Sequence, residues 1–435
     1  MNNAREYFSG KRVVVTGLRS HTSLVGDIKF LVACGADVTI ADVGKKADLE
    51  KAIAALELMT EEEKVGRLNY SFGNYDLELF TSANLIIKPR DVTFPNILVK
   101  AIEHNNVQVE TPELLFTKLS PPVIVIGVGG GAGKTTTALL IRDILERGKT
   151  ILRKNIFCVT NYENTGLISL LENIASGDIV IIELSFTQLR DFASMKMSPY
   201  VSVCPALGAD ETHALYAFQS SNNYFVAPEE VIRALDTKIR SRPMKASRQM
   251  LPLSWSALFE GELMKDDVAC AVETAHIFKI SEDIIEEALK NCRALSGRLE
   301  YKGMVKERKI YNDGASVTPH STLGALRTVS VNKNTVLIMG GKDVGEDMAP
   351  LLAHLNQYAT TVIAVPGTGT IKIHKNLLDC KGVTHVHSEG LADAVKKAFD
   401  SSRAGDVILF SPSFGPEEQS RDVTSRIEAF DALMK

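Results

Sequence analysis

VIVIGVGGGAGKTTTALLIRDILER, residues 123–147, decides how the fold is read. The apolar run Val123–Val128 suits a buried strand, and Ala138, Leu139, Ile141 and Leu145 recur behind it at helical spacing. Between the two lie Gly129, Gly130, Gly131 and Gly133. A strand, a glycine-rich loop and a helix N-terminus make an anion site: bare backbone lets N–H groups approach phosphate, and the helix dipole adds positive potential. Lys134 is placed to reach terminal phosphates. The hydroxyl of Thr135 would hold Mg²⁺, with Thr136 next in line. The competing reading is a tight turn ahead of a core helix. The spacing is also atypical, because Val128 stands where a Walker loop carries its first glycine.

Outward from this loop the chain alternates strand-like and helix-like segments. RVVVTG, ADVTIAD, NLIIKP and VQVE precede it. IVIIELSFTQL follows, and KIYND, TVLIMGG, TVIAVPG, THVHS and DVILFSPS come last. Such alternation predicts parallel sheets with crossover helices. Ser120-Pro121-Pro122 marks a boundary, and Ser296-Gly297 marks a second. The expected architecture is α/β with three domains. A Rossmann-like N-terminal domain spans 1–119, a central P-loop ATPase-type parallel-sheet domain spans 120–295, and a C-terminal Rossmann-like domain spans 296–435. Residues 205–255 are less periodic, and the basic RSRPMKASR at 240–248 is read as a solvated linker or surface loop.

Composition narrows the function classes. The chain has 435 residues, too many for one core, and a net charge of −4 gives no general attraction to nucleic acid or anionic membrane. Six scattered cysteines show no C-x-x-C and suit reduced thiols of a cytoplasmic protein. No apolar run is long enough to insert in a membrane.

Several residues stand at the ends of expected strands, where open α/β sheets bind ligands. Glu183 emerges from the apolar run IVIIE and is placed to bind Mg²⁺, although a helix-capping acid would look the same. Asp42 ends the second strand, where an acid often meets a ribose, and Gly17-Leu18 turns away from the first. The single turn glycine makes that dinucleotide signal weak. Asn312 and Asp313 end KIYND, Lys342 follows TVLIMGG, and Arg298 could swing onto a phosphate. Each alone could be a surface charge.

As a set they resemble the Mur ligase family, which builds the peptide of peptidoglycan. IGVGGGAGKTTT resembles the family's phosphate loop, and ELSFTQL at 183–189 resembles the E-L-S-S-F-Q-L of its D-glutamate-adding branch. GRLEYKGMVKERKIYNDGASVTP, LIMGGKDVGEDMAPL and FSPSFGPEEQ resemble further motifs of that branch in the same order. The resemblance implies an ATP-dependent, acyl-phosphate amide ligase that uses Mg²⁺, with UDP-N-acetylmuramoyl-L-alanine and D-glutamate as substrates, and a monomer. By the same resemblance Lys134, Glu183 and Arg298 are catalytic. Gly130, Gly131, Gly133, Lys134, Thr135, Thr136, Arg298 and Asp313 bind ATP. Thr135, Glu183 and Glu211 serve the metal. Gly17, Leu18, Asp42, Ser185, Lys342 and Ser411 bind substrate.

The departures from the family pattern are equally specific. Ala132 replaces the loop asparagine. ALGADETH offers Asp210, Glu211 or His213 where a metal motif is expected, and SSNNYFVAPEE lacks the lysine that members carry carbamylated. Leu263, Met264 and Asp267 replace the residues on the adenine side. Gly297, Ala315, Val317, Val344 and Pro416 replace further family residues. Two other readings therefore stay open: a Mur-fold ligase with a different acceptor, and a nucleotide- or UDP-sugar-binding protein without turnover.

Overall fold

The computed structural model describes residues 2–18, 21, 23–44, 46–60, 63–131, 133–160, 165–207, 210–235, 238–252, 255, 262–292, 296–416 and 422–434. Their strands form three sheets. The first contains β1 (Arg12–Thr16), β2 (Asp37–Asp42), β3 (Arg67–Phe72), β4 (Leu85–Ile87) and β5 (Gln108–Glu110) in the order β3-β2-β1-β4-β5. All its pairings are parallel, so each strand needs a crossover; helices Leu24–Ala33, Glu50–Glu57 and Asn96–His104 supply three of them.

The second sheet contains β6 (Ile124–Val128), β7 (Ile156–Val159), β8 (Ile179–Glu183), β9 (Val201–Val203), β10 (Tyr224–Pro228) and β11 (Arg242–Ala246), ordered β11-β10-β9-β6-β8-β7. It too is wholly parallel. β8 is buried along its whole length, as its unbroken apolar run requires. Strand β6 lies between β8 and β9, with Val128 in register with Glu183. The phosphate loop and the acid thus leave adjacent strand ends. β11 corrects the expectation of a solvated linker at 240–248. Its Arg242, Pro243 and Lys245 are exposed on an edge strand, where charge and proline block further pairing and imitate a loop in the sequence.

The third sheet contains β12 (Glu300–Val305), β13 (Arg308–Asn312), β14 (Thr335–Gly340), β15 (Ala359–Val365), β16 (Thr384–His387) and β17 (Val407–Phe410), in the order β12-β13-β17-β14-β15-β16. Only β12 runs antiparallel to its neighbour, through a turn at Lys306-Glu307, where both residues have positive φ. This half-exposed hairpin strand, with no apolar run, was not anticipated from sequence.

The chain divides into two compact units, residues 1–255 with 266–290, and residues 256–265 with 291–435. In the first, one core runs from Val13, Leu31 and Ile40 through Leu115, Phe116 and Ile168 to Val180, Ile182 and Phe225, joining the first two sheets by apolar packing. In the second, both faces of the third sheet are covered. Leu337, Leu409 and Phe414 pack on one side, and Ile310, Ile338, Phe410 and Phe430 on the other.

Candidate active site

The loop after β6 is shaped by close backbone approaches. Gly129 N–H donates to Val203 O (2.9 Å) and Gly131 N–H to Ala206 O (3.0 Å). Gly130 has φ +100°, and a Cβ there would lie 2.4 Å from Ala206 O, so no side chain fits. Gly133 has φ +85° and gives the helix Lys134–Arg147 no side-chain cap. A helix N-terminus without a side-chain cap is of the kind that can receive an anion. Lys134 Nζ donates to the loop carbonyls of Gly131 (2.7 Å) and Gly130 (3.2 Å), and Thr136 is half-buried in the first turn.

Thr135 and Glu183 meet. The Thr135 hydroxyl donates to Glu183 Oε1 at 2.9 Å, and the two residues are 3% and 5% exposed. A buried hydroxyl beside a carboxylate, next to a glycine cradle, is a pair of hard oxygen donors that suits Mg²⁺. Among the described residues no cluster of three or more His, Cys, Asp and Glu side chains is arranged to hold a metal. Glu211 lies in the 3-10 turn Asp210–Leu215, but its side chain is outside those described, as is all of Ala132. Cys204, against Gly130, is a buried thiol pushed up to about 12 by desolvation, which makes it packing rather than a nucleophile.

At the first sheet, Gly17 (φ +84°) packs against Val92 and Pro89, and the Leu18 side chain is 1% exposed in the core. Leu18 therefore offers a ligand only its backbone. Asp42 accepts the Gly44 N–H at 2.8 Å, closing the turn after β2. Ser185 caps the helix Phe186–Ser194 in a capping box with Gln188, whose amide donates to Glu113 Oε1 at 2.8 Å.

Beside these residues a small cavity of about 30 Å³ is lined by His21, Asp27, Asp91, Glu113, Gln188 and Asp191. Sequence reasoning missed this cluster because its members come from unrelated segments. Asp27 accepts the Ser169 N–H (2.9 Å), Arg90 pairs with Asp191, and His21 Nε2 is 2.8 Å from Asp91. Burial pushes the Asp27 carboxyl to about 8, against the Ser169 and Ile168 amides and with Glu113 adding to the rise; burial likewise raises Glu113. The first two sheets are thus latched by polar contacts as well as by their core.

In the second unit Asp313, at the end of β13, is buried among donors. Ser316 Oγ and Ser411 Oγ each donate to Oδ2 at 2.6 Å, and Leu299 N–H donates to Oδ1 at 3.0 Å. Burial raises its carboxyl to about 6, while these donors and the Arg298 charge hold it down. Ser411 is fully buried and also bonds Thr322 Oγ1 (2.8 Å), so its hydroxyl serves Asp313. The exposed Lys342 exchanges both backbone hydrogen bonds with Gly415 (3.0 and 2.9 Å), tying together the loops after β14 and β17. Ser413 holds φ +64°, a strained conformation of the kind that clusters at functional sites.

Residues 297–414 match the family described as Mur ligase, glutamate ligase domain. The UDP-N-acetylmuramoylalanine--D-glutamate ligase of Koribacter versatilis is 27% identical, across 98% of this chain and 97% of the relative. Among solved structures, the UDP-N-acetylmuramate-alanine ligase of Thermotoga maritima shares the fold with a TM-score of 0.63 at 16% identity, covering 97% of this chain and 98% of that one. The MurF ligase of Thermotoga maritima, solved in complex with ADP, gives a TM-score of 0.55 at 14% identity, covering 92% and 95%. Among the described residues no helix is long and apolar enough to cross a membrane.

Proposed function

We propose that the chain, as a divergent member of the Mur ligase family, joins D-glutamate to UDP-N-acetylmuramoyl-L-alanine at the expense of ATP, as a cytoplasmic monomer. The observation that carries this reading is the meeting of Thr135 and Glu183 beside the glycine cradle and Lys134. In this reading the substrate carboxylate attacks the γ-phosphorus of ATP, ADP leaves, and an acyl phosphate forms. The amine of the amino acid then adds to the acyl carbon, its nitrogen gives up a proton, and phosphate leaves from the tetrahedral intermediate to give the amide.

The chain's own groups mainly position and neutralise charge. Amides of Gly130, Gly131 and Gly133 cradle phosphate oxygens. Lys134 leaves its resting partners, the Gly130 and Gly131 carbonyls, to neutralise the charge that accumulates on the transferring group. Thr135 and Glu183, with Glu211 as a further oxygen donor, would hold Mg²⁺, which supplies positive charge against the phosphates. By the family resemblance, Arg298 and Asp313 are further nucleotide contacts. Gly17, Leu18 and Asp42 serve the uridine diphosphate end, Ser185 the middle of that substrate, and Lys342 the amino acid.

A second reading, a different amino-acid acceptor, draws on the acceptor side. Val344 and Pro416 offer no cation or hydroxyl, and Ser411 is turned to Asp313. Phosphate release separates the readings. With ATP, Mg²⁺ and UDP-N-acetylmuramoyl-L-alanine, release that depends on D-glutamate supports the first, and release that depends on another amine supports the second. ATP binding without stimulated release by any amino acid would reject both.

A further inference from the structure

Asp267 has no part in the chemistry above, yet its carboxylate reaches the phosphate loop. It belongs to the helix Glu262–Ile277, whose following face is firmly buried: Val268, Ala269, Cys270 and Ala271 are all 0–1% exposed. The preceding residue, Asp266, is paired with Arg248 at 2.8 Å. This helix is therefore a fixed support, and Asp267, itself 6% exposed, is held on it. Its Oδ1 accepts the hydroxyl of Thr137 at 3.3 Å, one turn into the helix that follows the loop. The same oxygen lies 1.9 Å from where a Cβ of Gly133 would stand. The carboxylate thus occupies the side-chain position that Gly133 leaves empty.

A negative group beside a phosphate site does not attract the ligand. Its value lies in fixing the backbone that does. Gly133 is in a left-handed conformation that is one of several a glycine visits with similar ease, so fixing it there costs more entropy than for any other residue and needs contacts to offset it. Asp267 supplies that hold from one side, and the Thr137 N–H to Gly133 O bond (2.9 Å) from the other. We propose that Asp267 is a positioning residue for the phosphate loop, acting through Gly133 and Thr137 to preorganise the amides that receive ATP. The inference rests on the reading of this loop as the ATP site.

The test is equilibrium binding of ATP with Mg²⁺ alone, followed by steady-state kinetics. Asp267→Ala weakens ATP binding about tenfold, the loss expected for one buried hydrogen bond and its ordering, and raises the KM for ATP with kcat little changed. Asp267→Asn keeps an acceptor for Thr137 and restores binding to near the parent value. Thr137→Val weakens binding by no more than Asp267→Ala does, and combining the two adds nothing further, because Thr137 acts only through Asp267. Parent-like ATP binding by Asp267→Ala, or additive losses in the double variant, would overturn the proposal while leaving the ATP site intact. Should Asp267→Ala fail to fold, Thr137→Val decides: parent-like binding by that variant overturns the proposal. No ATP binding by the parent protein would overturn this inference and the reading beneath it together.

Discussion

The loop after β6 and the loops after β13 and β17 both stand at carboxyl ends of parallel strands, but they are built from different material. The first is made of backbone: glycines at positive φ, a helix start without a side-chain cap, and a lysine resting on carbonyls. The second is made of side chains. Asp313 is enclosed by Ser316, Ser411 and the Leu299 amide. Arg426, fully buried, donates to Gly314 O (2.9 Å) and Phe414 O (2.8 Å) to hold both loops. A backbone site survives exchange of the side chains around it, as Val128 and Ala132 illustrate. A side-chain site changes character with each exchange, and Ala315, Val317 and Pro416 are such exchanges.

The contrast is broken most directly at Lys134. Lys134→Ala should reduce turnover by about a thousandfold with little change in thermal unfolding, because its bonds are to loop carbonyls at a half-buried position. Activity retained within tenfold would remove the phosphate-loop assignment. Glu183→Gln comes next, with a fall of about a hundredfold in kcat and a higher Mg²⁺ requirement. An unchanged Mg²⁺ titration would leave Glu183 a purely structural partner of Thr135.

The side-chain site should respond to pH where the backbone site does not. Asp313 has a folded pKa raised to about 6, so its carboxylate is protonated as pH falls through that value. The KM for ATP should rise there. Ser411→Ala removes a donor that favours the charged form, so the acid limb should move to higher pH, with a stability loss of about 1–2 kcal/mol. An acid limb at the same pH in both proteins would detach Asp313 from nucleotide binding.

The smallest effect concerns the latch between the first two sheets. The Asp27 pKa is raised from 3.8 to about 8, so the folded state holds its proton more tightly than the unfolded one. Stability is then greatest below the lower value and declines as pH climbs to the higher. Asp27→Asn should therefore gain stability relative to the parent between pH 5 and 8, on the order of 1–3 kcal/mol, and no more beyond. Chemical denaturation at several pH values would reveal a constant difference if the latch is not proton-linked.

The strands of the three sheets were largely legible, because buried parallel strands are continuous apolar runs and their crossovers carry helical periodicity. The exceptions are instructive. β3 is only half-buried and β10 falls in the less periodic stretch 205–255, so neither was read as a strand; β11 hides behind Arg242, Pro243 and Lys245, and β12 has no buried face to pattern. At the site, contiguous motifs were readable and convergent ones were not. Ser185 was expected to face substrate, and its second role, capping a helix with Gln188, was not read. Ser411 was expected to do the same and is enclosed beside Asp313. Asp267 registered only as a departure from a family pattern.

The sequence by itself determined the glycine loop after β6, since its conformation follows from glycines and a helix start within a few consecutive residues. Only the tertiary structure decided the side-chain meetings. Thr135 and Glu183 are separated by 48 positions, Asp313 and Ser411 by 98, and Thr137 and Asp267 by 130. Such meetings depend on strand order, register and helix packing, which are settled by burial of the whole unit and leave no local trace in the residues they bring together.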